Sequence, residues 1–221
     1  MKNNQYLNVS DIREMFKQKL QKEEYVIDKS GVKTVEIVNA SFISNEETIF
    51  GKMNYDWCER ELDWYKSQSL FVEDIKEPIP EIWKSVSSSE GKINSNYGWC
   101  IFSQENGYQY INVLKELKKN PNSRRAQMIY TRPSMHYDYN KDGMSDFMCC
   151  SNTVHLIRDS KLETVVYFRS NDAVFGYKGD RYWMNFVHNS LADHLEIEPG
   201  NIYWNASSLH IYSRHFHFIN E

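Results

Sequence analysis

The sequence predicts an α+β domain: a mixed or antiparallel β-sheet flanked by helices. The β-branched run at 33–42 reads as a strand, as do 124–132, about 153–158 and 163–169. Apolar residues recur at helical spacing within 10–20, 53–68, 104–120 and 180–197. The two kinds of segment mix without a repeated strand–helix–strand pattern, which argues against an all-parallel sheet. At 221 residues, with no repeat, low-complexity tract or long linker, the chain reads as one domain over 1–221.

Ser10 can cap a first helix that carries Ile12, Phe16 and Leu20 at i, i+4 and i+8. The strand "KTVEIVNASF" ends at the polar "SNEE". In "MNYDWCERELDWYKSQ", Cys58, Leu62 and Tyr65 share a helix face, with Glu61 beside it among Trp57 and Trp64. "SSSEGKINSNYG" (87–98) reads as a polar loop, and a helix restarts after Gly107. "NPNS" breaks that helix before the strand "RRAQMIYTR". In 180–197, Trp183, Phe186, Val187 and Leu191 form an apolar stripe. "NIYWNAS" and "LHIYSRHF" close the chain as two short strands.

A net charge of −4 argues against a protein that coats nucleic acid. No apolar run approaches the roughly 20 residues of a membrane span. Neither nucleic acid nor membrane is therefore an expected partner. The 15 Tyr, 11 Phe and 6 Trp suit core packing with hydrogen-bonded rims, or a pocket that stacks flat rings. Cys58, Cys100, Cys149 and Cys150 form no CxxC pair, and no leader reads as a secretory signal, so reduced thiols are expected.

The adjacent Cys149 and Cys150 enter a strand, where neighbours face opposite ways. Only one of them can face a given pocket as a nucleophile. Standing alone, such a cysteine is more often buried and inert. In "YFRSNDAVFGYKGD", Arg169, Ser170, Asn171 and Asp172 suit a bound phosphate, since a guanidinium fork matches its oxygens. The bland reading is a turn with a surface arginine. Arg124 and Arg125 are a second basic pair. His210 and Tyr212 share a strand face and can both reach a sugar hydroxyl. With His215 and His217 nearby a zinc site can be imagined, but no cysteine pair or carboxylate stands at metal spacing, so none is expected.

"SRRAQMIYTRPS", the cysteine near 149, "RSNDAVFG…D" and "LHIYSRH" occur in an order that resembles the thymidylate synthase family. "DKSGVKTVEIVNASF", "RELDWYKSQSLFV", "INSNYGW", "YNKDGMSDFMC" and "WNASSLHIYSRHF" are most similar to the phage branch of that family, which hydroxymethylates deoxycytidylate. The likeness runs from about residue 8 to 218. It implies a homodimer joined through a sheet face, with 5,10-methylenetetrahydrofolate as co-substrate and dCMP as substrate. It further implies work in the cytoplasm of an infected bacterium, with association into a phage nucleotide-synthesis complex.

The resemblance assigns phosphate contacts to Arg169 and Ser170, and to Arg124 and Arg125 donated across the interface. Lys29 stands where the family usually carries an arginine. It places His210 and Tyr212 on the 3′-hydroxyl, Glu61 in proton relay, and Trp83 and Tyr97 as pocket walls toward folate and base. The family nucleophile lies 20 residues before the arginine of "RS", which selects Cys149; "CSNTV", like the branch's "CTNTV", selects Cys150. Cys150 would require an insertion and a compensating deletion within one strand, each disturbing its facing, so Cys149 is the expected nucleophile.

Asp180 stands where thymidylate synthases carry an asparagine that pairs with uracil. A carboxylate only accepts, which suits cytosine's amine and a protonated ring nitrogen 3. The plain alternative for Asp180 is a helix cap before "RYWMNF". Alternative functions are methylation or hydroxymethylation of dUMP or CMP, and a silent nucleotide-binding homologue.

Overall fold

The computed structural model describes residues 6–220. Its helices are α1 (Val9–Gln21), α2 (Tyr55–Ser67), α3 (Glu81–Val86), α4 (Tyr97–Phe102), α5 (Gln109–Lys119), α6 (Met135–Asp138) and α7 (Gly176–Leu195). Its strands are β1 (Val26–Ile27), β2 (Lys33–Ile43), β3 (Gln127–Ile129), β4 (Cys150–Arg158), β5 (Lys161–Phe168), β6 (Asn171–Asp172) and β7 (Glu198–Tyr212). The backbone groups into two compact units, one holding the residues to Met53 and from Ile157, the other Asn54–Leu156.

In the first unit the strands run β1-β2-β7-β5, with β6 also paired to β7. β2 is antiparallel to β1 and β7, while β5 and β6 run parallel to β7. The sheet is mixed, as expected, but α7 joins β5 to β7 in a strand–helix–strand crossover that the sequence pattern did not reveal. The two predicted closing strands are one 15-residue strand. Pairing with β2 from Tyr203 to Tyr212 carries β7 through the polar Ser207–Ser208.

Along β2, Val35, Ile37, Ala40 and Phe42 are buried, while Glu36, Val38 and Ser41 turn outward. The alternation breaks at Asn39 (φ +56), between the Val38–Ser208 and Ala40–Ala206 pairs. On the buried face Trp204 stacks on Phe168, with centroids 4.8 Å apart, and meets Tyr177 edge-on at 4.9 Å. Trp183, Val187 and Leu191 of α7 are buried as predicted, whereas Phe186 is half-exposed.

The cap of α1 is Asn8, not Ser10. Its side chain accepts from Ser10 N and Asp11 N, and the Asp11 carboxylate returns to Asn8 N at 2.8 Å. That reciprocal box needs an acid three residues after the cap, which Asn8 has and Ser10 lacks.

In the second unit, Cys58, Glu61, Trp64 and Tyr65 form the buried face of α2. Leu62 is only half-buried, so the stripe is rotated from the one expected. β3 spans three residues rather than nine. Gln109 ends it on one side, donating to the Ile129 carbonyl and accepting its N–H, each at 2.7 Å. On the other side β3 pairs with β4, Met128 opposite Thr153.

Residues 87–96 form a loop, but Ser88, Asn94, Ser95 and Asn96 are buried rather than surface-polar. Internal partners satisfy them. Asn96 caps α4 through Trp99 N and donates to the carbonyls of Trp64 and Ser69. Gly98 follows, where an added Cβ would lie 1.8 Å from the Tyr65 carbonyl oxygen, so only glycine lets α4 sit against the end of α2.

Candidate active site

In the second unit, Cys149 immediately precedes β4 and is partly exposed, with Sγ 3.8 Å from the Phe147 carbonyl. Cys150, the first residue of β4, has no exposed surface. The facing argument thus separates the two thiols, and accessibility favours Cys149. Burial pushes the Cys100 thiol up to about 12, which makes it inert.

Asp146 fixes the segment that leads to Cys149. This buried carboxylate accepts from Asn94 N at 2.7 Å, Ser95 N at 2.8 Å and the Ser95 hydroxyl at 2.7 Å. Sequence reasoning did not single it out. The signal was available in the paired motifs "INSNYGW" and "GMSDFMC", whose polar residues prove to be each other's partners. Arg132 was also missed. It donates to Asn94 Oδ1 at 2.8 Å and lies 5.5 Å from the Trp99 ring centroid.

Glu61 is buried on α2 beside Trp64 and Tyr65. Trp83 is half-buried and edge-on to Trp64 at 5.1 Å, leaving ring surface for a flat ligand. Tyr97 is covered, stacked on Tyr65 at 5.2 Å and edge-on to Tyr130 at 5.3 Å. Arg124 and Arg125 are exposed before β3. Arg125 pairs with Glu116 at 3.2 Å, while Arg124 has no side-chain partner among the described residues.

In the first unit, β6, the end of β7 and the start of α7 assemble a polar cluster. Asp180 is the fifth residue of α7, so it does not cap that helix. Asn171 Nδ2 donates to Asp180 Oδ2 at 2.7 Å, and Asn171 Oδ1 accepts from Trp204 Nε1 at 3.2 Å. Asn171 was expected among the phosphate contacts. It is instead buried, with both ends of its amide engaged, and acts on Asp180. Asp172 pairs with His210 across the sheet and accepts from Val174 N.

His210 and Tyr212 are half-exposed with centroids 5.0 Å apart. Ser208 links His210 Nδ1, at 3.4 Å, to the Glu36 carboxylate. Arg169 is exposed and Ser170 half-exposed at the end of β5. Lys29 sits exposed in a turn that Asp28 closes by accepting from Ser30 N and Val32 N, each at 2.8 Å. The Ser30 hydroxyl, then the Val32 N–H, hold the Asp28 carboxyl below the ordinary aspartate range, and the charge of His210 acts in the same direction.

Among the described residues no group of three or more His, Cys, Asp or Glu could hold a metal ion, and no helix is long and apolar enough to cross a membrane.

The second unit thus offers a partly exposed thiol at a strand entrance, and the first a carboxylate held by an amide near a helix start, on a mixed sheet. The chain belongs to the thymidylate synthase family, whose description matches residues 6–221. It is 51% identical to the deoxycytidylate 5-hydroxymethyltransferase of enterobacteria phage T4, over 97% of this chain and 90% of that protein. It is 32% identical to the thymidylate synthase of Fusobacterium nucleatum, over 71% of this chain and 56% of that one. Thymidylate synthase A of Bacillus subtilis shares the fold with a TM-score of 0.73 at 22% identity, covering 96% of this chain and 82% of the other.

Proposed function

We propose that the chain is a deoxycytidylate 5-hydroxymethyltransferase, forming 5-hydroxymethyl-dCMP and tetrahydrofolate from dCMP, 5,10-methylenetetrahydrofolate and water. The observation that carries this reading is Asp180, an acceptor-only side chain oriented by Asn171 at the family's base-reading position. The likeness to the phage T4 enzyme supports it.

The thiolate of Cys149 adds to carbon 6 of dCMP, which makes carbon 5 nucleophilic. When bound, methylenetetrahydrofolate supplies the one-carbon unit that carbon 5 takes up; the half-buried Trp83 ring fits its flat pterin. Asp180 accepts from the amine and from nitrogen 3 and keeps that nitrogen protonated, so the ring can take up the electron pair that the thiolate brings. Loss of the carbon 5 proton and departure of tetrahydrofolate would leave an exocyclic methylene on the Cys149-bound ring. Glu61 holds the water that adds to this methylene and takes its proton, and expulsion of the Cys149 thiolate restores the aromatic ring.

Arg169, Ser170 and Lys29 bind the phosphate, His210 and Tyr212 the 3′-hydroxyl. Asp172 braces the His210 strand rather than the phosphate. Arg124, exposed and without a side-chain partner among the described residues, suits donation to a second copy, as does Arg125 on release from Glu116. The outward sheet face carrying Val38, Val165, Tyr167 and Tyr203 is the face a second copy would cover. The enzyme works inside an infected bacterium.

Incubation with methylenetetrahydrofolate and dCMP, dUMP or CMP in turn, followed by product mass, tests the reading. A hydroxymethyl product from dCMP alone is expected, with no dihydrofolate formed. A methylated product, or a preference for dUMP, would overturn it.

A further inference from the structure

The geometry points to a second anion site in the first unit: a cavity of about 240 Å³ that takes one compact oxyanion of the phosphate class, held by Arg181, Asn185, His188 and Asn189. These four residues recur at i, i+4, i+7 and i+8 along one stripe of α7. The end of β2 at Ile43–Asn45 and the start of β7 at Pro199–Ile202 complete the walls. None of the residues assigned above to nucleotide, folate or the covalent step lines the cavity.

The charge balance of the lining selects the ligand. Among the described residues it contains an arginine, a histidine and asparagines, and no carboxylate. Arg181 Nε donates to the Ser44 carbonyl at 3.2 Å, and the guanidinium has no ion-pair partner among the described residues. Tyr177 and Glu47 supply its other attractions, Glu47 from beyond ion-pair range. The Glu163 carboxylate stands outside the lining, occupied by Asn201 N at 2.9 Å. A partly desolvated cation without a counter-charge is costly unless an anion joins it.

His188 gives a second, independent indication. It is 2% exposed, its Nδ1 is 2.8 Å from the Thr164 hydroxyl, and its Nε2 is buried without a hydrogen bond. The Gly200 backbone also acts on the ring, but no hydrogen bond reaches Nε2 among the described residues. Buried polar atoms of this kind call for a partner. With the Thr164 hydroxyl donating to Nδ1, Nε2 carries the ring proton and can donate to an oxyanion. The side-chain amides of Asn185 and Asn189 have no bond within the protein among the described residues, and each can turn its NH₂ inward. The space is ample for a tetrahedral oxyanion together with water.

Calorimetric titration with inorganic phosphate tests the site, in wild type presaturated with dCMP and separately in Arg169→Ala. Both are expected to bind one phosphate per chain. Asn185→Leu and Asn189→Leu fill the cavity without breaking a protein hydrogen bond. Each should weaken that binding at least about tenfold while leaving dCMP turnover in phosphate-free buffer unchanged. Thermal unfolding reports whether each variant folds; if one does not, the other is read in its place. Displacement by sulfate identifies a free-oxyanion site, and displacement by excess dCMP identifies one that takes a nucleotide's phosphoryl group. No phosphate bound beyond the nucleotide site, or full binding in the folded leucine variants, would overturn the inference and leave a cavity filled by water.

Discussion

At the scale of single residues, the proposed chemistry rests on Asp180 and on one of two adjacent cysteines, Cys149. Asp180→Asn exchanges an acceptor for a donor at one position. It should lower kcat/KM for dCMP by about 100-fold or more, and raise activity on dUMP relative to dCMP, because cytosine's amine then meets a donor. Measuring kcat/KM for both nucleotides decides it; an unchanged ratio would remove Asp180 from base reading. Cys149→Ser should abolish turnover while dCMP still binds. Cys150→Ser should keep turnover and lose about 1–3 kcal/mol of stability, since a hydroxyl replaces a thiol at a position with no exposed surface. Full activity in Cys149→Ser would reassign the nucleophile. Spacing and local similarity chose different cysteines in the sequence, with spacing and strand facing favouring Cys149; the burial of Cys150 points the same way.

Single elements show why some of the fold was legible and some was not. The core stripe of α7 followed from periodicity, because burial against one face imposes it; the start and end of β2 followed from its β-branched run and the polar segment after it. Asn8 was overlooked because Ser10 is also a good cap, and the choice rests on the Asp11 return bond. The loop 87–96 looked like surface because polarity does not reveal whether a partner lies 50 residues away; Asp146 is that partner. The parallel β5–β7 pairing was likewise invisible, being a relation between segments rather than a pattern within one. Gly98 is a sharper case, since "NYGW" gives no hint that the Tyr65 carbonyl abuts the glycine. Gly98→Ala forces α4 off α2 and should destabilise the protein by about 3 kcal/mol or more, as overpacking against rigid backbone does. Chemical unfolding of the variant checks this, and a loss below about 1 kcal/mol would mean that α4 is free to shift.

For the whole molecule, stability should depend on pH through a histidine far from the proposed chemistry in role. Burial first, then the charge of Arg181, lowers the His188 pKa from an ordinary 6.5 to about 4. The unfolded chain therefore binds more protons than the native state between those values, and stability rises with pH across that window. The contribution is fully present above about 6.5 and is lost as pH falls toward 4, with an upper bound of about 3 kcal/mol. The carboxyls of Asp28, Glu24, Glu116 and Asp138 are lowered too, so what they contribute is lost only at pH below the ordinary carboxylate range. Urea unfolding at pH 7 and pH 5 thus reads the histidines; burial lowers His215 as well, so the difference between wild type and His188→Gln is what isolates His188. Wild type in phosphate-free buffer should lose about 1–2 kcal/mol between the two, and His188→Gln less than half as much. Phosphate should reduce the wild-type loss, because an anion beside His188 favours its protonated form. Parallel curves for the two proteins would show that His188 protonates in the native state without penalty, and would remove the burial argument from both the histidine and the cavity it lines.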